Sequence, residues 1–100
     1  MNMQQMMIQA QRMKRELEKA KKALAEQEFE VSKGGAVTVV VLGDRSVKAV
    51  KIDEAAFEPD NKEMVEDMIA MAINEAMEKI AAAEAEVNER ITGSAAGLGF

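Results

Sequence analysis

Two tight turns in the middle of the chain constrain its fold more than any other feature. Gly34-Gly35 and the Gly-Asp-Arg-Ser segment 43–46 carry turn residues, and they separate three short segments that favour strands. These segments are rich in β-branched or aromatic residues and comprise residues 29–31, 36–42 and 47–52. Parallel strands need a crossover of a dozen or more residues, so connections this short predict an antiparallel meander.

An amphipathic helix is predicted before the sheet, from about Asn2 to Glu26. Its apolar residues keep a three-four spacing, as in a heptad repeat, and they are Met3, Met6, Ala10, Met13, Leu17, Ala20 and Leu24. Such a helix is roughly 37 Å long at 1.5 Å per residue. Because this is longer than a domain of 100 residues needs to cover its core, part of the helix should project.

A second helix is predicted after Pro59, with Asp60 as its N-cap, Glu63 completing a capping box, and an end near Ile91. Its wide apolar face consists of Met64, Val65, Met68, Ile69, Ala72, Ile73, Ala76, Met77 and Ile80. The predicted fold is therefore α+β, an α-β-β-β-α protomer with a small antiparallel sheet flanked by two long helices. We expect one domain over residues 1–92 and a flexible Gly/Ala-rich tail over residues 93–100.

The central strand, residues 36–42, is apolar on both faces of the predicted sheet, apart from Thr38. The two helices can cover one face, and nothing else in the chain is left to cover the second. We therefore predict a homodimer built through the sheet. Its expected interface residues are Val37, Val39, Val40, Val41, Leu42 and Val50.

Positive charge is concentrated in the first helix, although the formal net charge of the chain is −5. Residues 1–25 carry six basic and two acidic side chains, whereas residues 60–100 carry three basic and nine acidic ones. Four of the six basic residues repeat at helical spacing opposite the apolar residues, and two flank them. We call these six the basic face; they are Arg12, Arg15, Lys19 and Lys22, with Lys14 and Lys21 at the flank.

Cations spaced one per helical turn over about 15 Å suit duplex DNA, which carries one charge per ~1.7 Å of its axis. The chain has 3 aromatic residues and none lies in the basic face, which argues against stacking on single-stranded bases. Contact to the phosphates of double-stranded DNA is therefore the functional interpretation. The plainer interpretation is a solubilising surface with the intrahelical ion pairs Arg12–Glu16 and Glu18–Lys22.

The composition argues against several other classes of protein. The chain has no His, Cys or Tyr, and its serines lack a recognisable general base, so we do not expect an enzyme. The carboxylates of residues 53–63 do not follow calcium-loop spacing and the glycines do not form a phosphate loop, so we expect no metal or cofactor. No apolar run is long enough for a bilayer and no signal peptide is recognised, so we expect no membrane association and a cytoplasmic location.

Several segments occur in an order that is typical of one family. They are the Met- and Gln-rich residues 1–11, Gly34-Gly35, a valine strand ending at Gly43, residues 47–53, and Glu-Met-Val-Glu-Asp at 63–67. Together they resemble the YbaB/EbfC family of bacterial nucleoid-associated proteins, over roughly residues 1–93. The resemblance implies a tweezer-shaped homodimer, DNA binding with little sequence preference, and a nucleoid-associated location in the cytoplasm.

The resemblance supplies no set of DNA-contacting residues that maps position by position, so the basic face rests on this sequence alone. The strongly acidic second helix departs from any arrangement in which both helices line a DNA channel equally. An alternative of a different class therefore stays open. In it, the protein is an interaction adaptor that docks a protein partner through the acidic second helix and the methionine-rich tip of the first.

Overall fold

A computed structural model describes residues 2–96 and confirms the order of elements that the sequence predicts. Its helices and strands are α1 (Met3–Glu26), β1 (Glu28–Lys33), β2 (Val37–Leu42), β3 (Val47–Ile52) and α2 (Lys62–Ala96). The strands form one antiparallel sheet in the order β1-β2-β3. The fold is therefore α+β, as predicted.

The bounds of α1 agree with the prediction and have local causes. The side chain of Asn2 caps the helix, since its Oδ1 accepts a hydrogen bond from the backbone N–H of Gln5 at 2.8 Å. At the other end Gln27 adopts an extended conformation, and its N–H donates to the carbonyl of Leu24 at 3.1 Å.

Both ends of α2 differ from the prediction. Pro59–Asn61 form a 3₁₀ turn that leads directly into α2 at Lys62, so Asp60 lies inside this turn and the predicted N-cap was wrong. The helix also continues to Ala96, past Ile91. The cause is that its last turns contain a single glycine, and a glycine costs only about 1 kcal/mol relative to alanine in a helix.

The predicted tail, residues 93–100, thus begins within the helix. Residues 97–100 lie outside the described part of the chain. The mobility of the tail and the domain limit at residue 92 stay predictions.

The two turns reverse the chain with different backbone conformations. Gly34 and Gly35 have φ values of 58° and 66°, as the central residues of a type I′ hairpin turn require, and the N–H of Ala36 donates to the carbonyl of Lys33 at 3.0 Å. The second turn places Arg45 at φ 72°, where glycine is normally preferred. No other non-glycine residue of the described chain has a positive φ.

The core lies between α2 and one face of the sheet. Val37, Val39 and Val41 of β2 point to this face and are at most 1% exposed. Burying a valine side chain fully contributes about 1.5–3 kcal/mol. Ala72 and Ala76 of α2 are fully buried over the sheet, and their small side chains allow the helix to approach it closely.

The helix α2 covers β1 and β2 but leaves β3 largely open. Val50 pairs with Val39, and Ile52 pairs with Val37, so both side chains face the α2 side of the sheet. They are nevertheless 43% and 37% exposed. We call the resulting apolar depression the β3 groove; it has a volume of about 440 Å³ and is lined by Ile52, Ala56, Phe57, Glu58, Pro59, Lys62, Val65, Glu66 and Ile69.

The molecule is elongated, with extents of 69 × 19 × 14 Å. The C-terminal end of α1 contacts α2 near Glu84 and Val87, about two thirds of the way along α2. Because α2, with 35 residues, is only about 52 Å long, the full extent is reached by α1 running on beyond the end of α2. The expected projection of the first helix is confirmed, and we call α1, from its buried end at Leu24 to its exposed tip at Met3, the arm.

We predict that Gly43→Ala destabilises the protein by about 2–3 kcal/mol, because an added Cβ would lie 1.7 Å from the carbonyl oxygen of Leu24. Urea unfolding followed by circular dichroism measures the change. Gly93→Ala is the control, since its Cβ would meet nothing closer than Glu89 Cγ at 3.6 Å, and alanine favours the helix there. Equal stability of wild type and Gly43→Ala would contradict this account of how α1 is anchored.

Candidate nucleic-acid interface

The basic face is exposed along the whole of its length. One side of α1 carries the residues that pack towards α2, namely the half-buried Met13, Leu17 and Ala20 and the buried Leu24. The four cations of the central stripe lie on the opposite side of the helix, and Lys14 and Lys21 lie between the two sides. The structure thus brings all six predicted residues onto one solvent-facing surface.

The cations of the basic face are not neutralised by neighbouring carboxylates. Four ion pairs form among the described residues, and they are Lys33–Glu75, Arg45–Glu84, Lys48–Glu28 and Lys62–Glu66. The intrahelical pairs Arg12–Glu16 and Glu18–Lys22, which the solubilising interpretation expects, are not among them. The six cations therefore remain available for an external anion.

The arm combines this charge with exposed apolar side chains. Met3 is 77% exposed, and Met6, Met7 and Ile8 are exposed as well. These residues lie on the part of α1 that runs beyond α2, so α2 does not cover them. The arm thus offers cations on one side and methionines near its tip.

At the foot of the arm, three elements meet around a small crevice of about 270 Å³. Lys21 and Leu24 of α1, Gly43 of the β2–β3 turn, and Glu84 and Val87 of α2 line it. Arg45 of the same turn forms a bidentate ion pair with Glu84, in which Nη1 donates to Oε2 at 3.2 Å and Nη2 donates to Oε1. This pair links the turn to α2.

The electrostatics of the crevice follow from this pair. The hydrogen bonds from Arg45 hold the pKa of Glu84 below its ordinary value, against the opposing effect of burial, and the charges of Arg45 and Lys21 act in the same downward direction. The same hydrogen bonds raise the pKa of Arg45. Glu84 is therefore a carboxylate with two cations near it.

Asp44, the neighbour of Arg45, is engaged within its own turn. Its Oδ1 accepts hydrogen bonds from the backbone N–H of Ser46 at 2.8 Å and from the hydroxyl of Ser46 at 2.5 Å. The hydrogen bond from the Ser46 hydroxyl lowers the pKa of Asp44 most, and the bond from the Ser46 backbone N–H lowers it further. The carboxylate of Asp44 is thus turned back towards Ser46 and stabilises the turn.

The outer surface of α2 has the opposite sign to that of α1. Its exposed acidic residues include Glu63, Glu66, Asp67, Glu78, Glu86 and Glu89. Charges separated by more than about 8 Å are screened at physiological salt. The attraction of a polyanion is therefore local to α1, and α2 is a poor second wall for a DNA channel.

The predicted dimer residues fall into two groups. Val37, Val39 and Val41 lie beneath α2 in the core of the protomer itself. Val40 and Leu42 are half-buried on the other face of the sheet, and Val50 lies open beside the β3 groove. The accessible members of the predicted set are therefore Val40, Leu42 and Val50.

Arg45 and Glu84 were missed by sequence reasoning. They are 39 residues apart in the chain, and a charged residue in a turn is ordinarily a solvated one. Over residues 2–96, no group of three His, Cys, Asp or Glu side chains could hold a metal ion. Within the same range, no helix is long and apolar enough to cross a membrane.

These features define a small α+β protein with a cationic helical arm. The chain belongs to the YbaB/EbfC DNA-binding family, whose family model matches residues 1–95. A protein of Mycoplasmopsis pulmonis is 41% identical over 91 residues, which cover 91% of this chain and 90% of that protein. It bears the name nucleoid-associated protein, and the resemblance found in the sequence is confirmed.

Two further relatives carry the same name. The protein of Ruminiclostridium cellulolyticum is 38% identical over 98 residues, covering 97% of this chain and 85% of the relative. The protein of Chloroflexus aurantiacus is 36% identical over 99 residues, covering 98% and 99% respectively. The similarity therefore extends over both helices and the sheet.

We predict that the pKa of Glu84 lies below its ordinary value and rises towards it in the variant Arg45→Asn, which removes the guanidinium but tolerates the left-handed turn. Carbon-detected NMR titration of the side-chain carboxylates measures both values. The pKa of Asp44 serves as the internal control, since its shift comes from Ser46 and should persist. Because the folded-state pKa of Glu84 is lowered, the contribution of the pair to stability is present at neutral pH. It disappears as the pH falls through that lowered value.

Proposed function

We propose that this protein binds double-stranded DNA as a homodimer, contacting phosphates through the basic face of α1 with little sequence preference. The observation that carries the proposal is the row of six exposed cations on α1, none of which forms an ion pair among residues 2–96. Membership of a DNA-binding family supports the choice of ligand. The names of the relatives further support a place on the bacterial nucleoid.

The chemistry of the basic face favours phosphate contact over base reading. Lysine and arginine side chains neutralise the backbone and release counterions, and this gives affinity without sequence information. Phe29 and Phe57, the aromatic residues of the described chain, lie outside α1, so the helix offers no stacking platform for single strands.

The homodimer is supported by the apolar surface that the protomer leaves uncovered. Val50 and Ile52 are open to solvent on the α2 side of the sheet, and the nearby Phe57 is 79% exposed. Contiguous exposed apolar surface of this kind marks an interaction site, and two identical copies can cover it reciprocally around a twofold axis. A dimer built here would place two basic faces on one assembly.

We predict that the double variant Arg15→Glu/Lys19→Glu weakens binding to duplexes of unrelated sequence at least tenfold and to a similar degree, because two phosphate contacts become repulsions. Fluorescence polarisation from about 50 to 200 mM salt should give a wild-type slope of roughly −4 to −8 on logarithmic axes. This slope should become shallower in the variant.

The matched control is Lys79→Glu/Arg90→Glu on α2, which changes the net charge equally, lies outside the β3 groove and should bind as wild type does. Sequence-selective loss, or no loss, in the α1 variant would contradict phosphate contact through this helix. If the α1 variant behaves normally while Met3→Gln/Met6→Gln abolishes a cellular function, the interaction adaptor is favoured. The exposed methionines of the arm are the observation on which this second candidate rests.

We predict a solution mass near twice the 10.9 kDa of the chain, and a monomer for the variant Val50→Lys, because a charge beside the β3 groove would be buried without a partner. Sedimentation equilibrium at micromolar concentration measures the mass. Asn74→Lys is the control, since Asn74 is exposed on α2 and lies neither in the β3 groove nor on the sheet. A wild-type mass near that of one chain would rule out the homodimer.

A further inference from the structure

Arg45 occupies a backbone conformation that its residue type disfavours. It is the last residue of a three-residue turn, where its N–H donates to the carbonyl of Leu42 at 2.8 Å and its φ is 72°. Glycine or asparagine adopts this left-handed conformation at lower cost than a residue with a long side chain. Stability alone therefore does not explain an arginine at this position.

The ion pair of Arg45 does not explain it either. The side chains of Arg45 and Glu84 are 46% and 40% exposed, and exposed ion pairs contribute little to the free energy of folding because solvent screens them. The effect of the pair is to fix the position of the arginine side chain. It holds the guanidinium at a defined place, beside the crevice where α1, the turn and α2 meet.

The position of Arg45 extends the row formed by the two flanking lysines of the basic face. Lys14 and Lys21 are two helical turns apart on one side of α1, about 10 Å along its axis. Lys21 and Glu84 line the same crevice and Arg45 is hydrogen-bonded to Glu84, so the row leads from α1 onto the turn and ends at Arg45. Glu84 pairs with the arginine at the end of this row. The carboxylate of Asp44 instead accepts hydrogen bonds from Ser46.

We propose that Arg45 binds a DNA phosphate at the foot of the arm, and that in the free protein Glu84 occupies its guanidinium in place of that phosphate. A bidentate carboxylate presents two oxygens to the guanidinium fork as a phosphate does. Exchange of one anion for the other keeps the arginine paired in both states. The proposal rests on the DNA binding proposed above and adds to it a contact on the sheet and a competing group on α2.

Two variants should act in opposite directions. Arg45→Asn removes the cation and keeps the turn, so duplex binding should weaken about fivefold to tenfold at 0.1 M salt. The salt slope should fall by about 0.9 per protomer. Glu84→Gln removes the competing charge and leaves Arg45 in place, so binding should tighten about threefold to tenfold. A role confined to holding the fold would instead make both variants weaker.

The experiment is fluorescence polarisation of a random duplex with the full chain, beside thermal unfolding of each variant. Lys33→Asn and Glu75→Gln are the matched controls, because they break an ion pair of similar exposure, 29% and 39%, whose Glu75 lies about 14 Å from Glu84 along α2 and outside the β3 groove. Each control should change the affinity less than about twofold. The thermal midpoint of Arg45→Asn should stay within about 4 °C of wild type, which separates lost contact from lost fold.

Loss of binding in Arg45→Asn together with a gain in Glu84→Gln supports the proposal. Unchanged affinity in either variant, or weaker binding in both, overturns it. If these variants have no effect while Arg15→Glu/Lys19→Glu weakens binding, the inference about Arg45 fails and the proposed function stands. If wild type does not bind duplex DNA even at 50 mM salt, both fail together.

Discussion

The packing of α2 across the valine face of β2 is the interaction on which the rest of the molecule depends. The small side chains of Ala72 and Ala76 bring α2 close to the sheet, and Val39 and Val41 are fully buried beneath the helix. Because one helix covers only β1 and β2, β3 is left with apolar side chains in solvent. The same contact that completes the protomer thus creates the surface offered to a second copy.

The arm depends on a second, smaller contact. Gly43 has no side chain, and this allows the end of α1 to lie directly on the β2–β3 turn. The turn is therefore fixed between the two helices, and its arginine is held at the point where the surface changes from basic to acidic. A sheet with only three strands can in this way contribute to a surface that is otherwise helical.

Much of this architecture could be predicted from the sequence because its causes are local. The glycine turns impose the meander, and the heptad spacing together with the Asn2 cap delimits α1. The end of α2 could not be predicted in the same way, since one glycine is too weak a signal to stop a helix. The division of the apolar residues of β2 between a covered and an open face could not be predicted either, because it depends on where α2 lies.

The same distinction between local patterns and long-range contacts applies to the candidate site. The basic face is a periodic pattern on one helix, so its six members could be read from the sequence and all proved exposed. The pair Arg45–Glu84 joins residues 39 positions apart, and no periodicity connects a turn with a distant helix. The β3 groove likewise required knowledge of which strand α2 fails to cover.

The attachment of α1 at one end has a consequence for its dynamics. Leu24 is buried and Met13 half-buried, whereas almost every residue from Asn2 to Arg12 is exposed, so tertiary contacts hold only the C-terminal half of the helix. An isolated helical segment of that length is marginal in water. Local stability therefore declines from the foot of α1 to its tip, and amide hydrogens near Met3 exchange faster than those near Leu24. All members of the basic face except Arg12 lie on the half of α1 that tertiary contacts hold, so a polyanion would meet cations on a backbone that is already ordered.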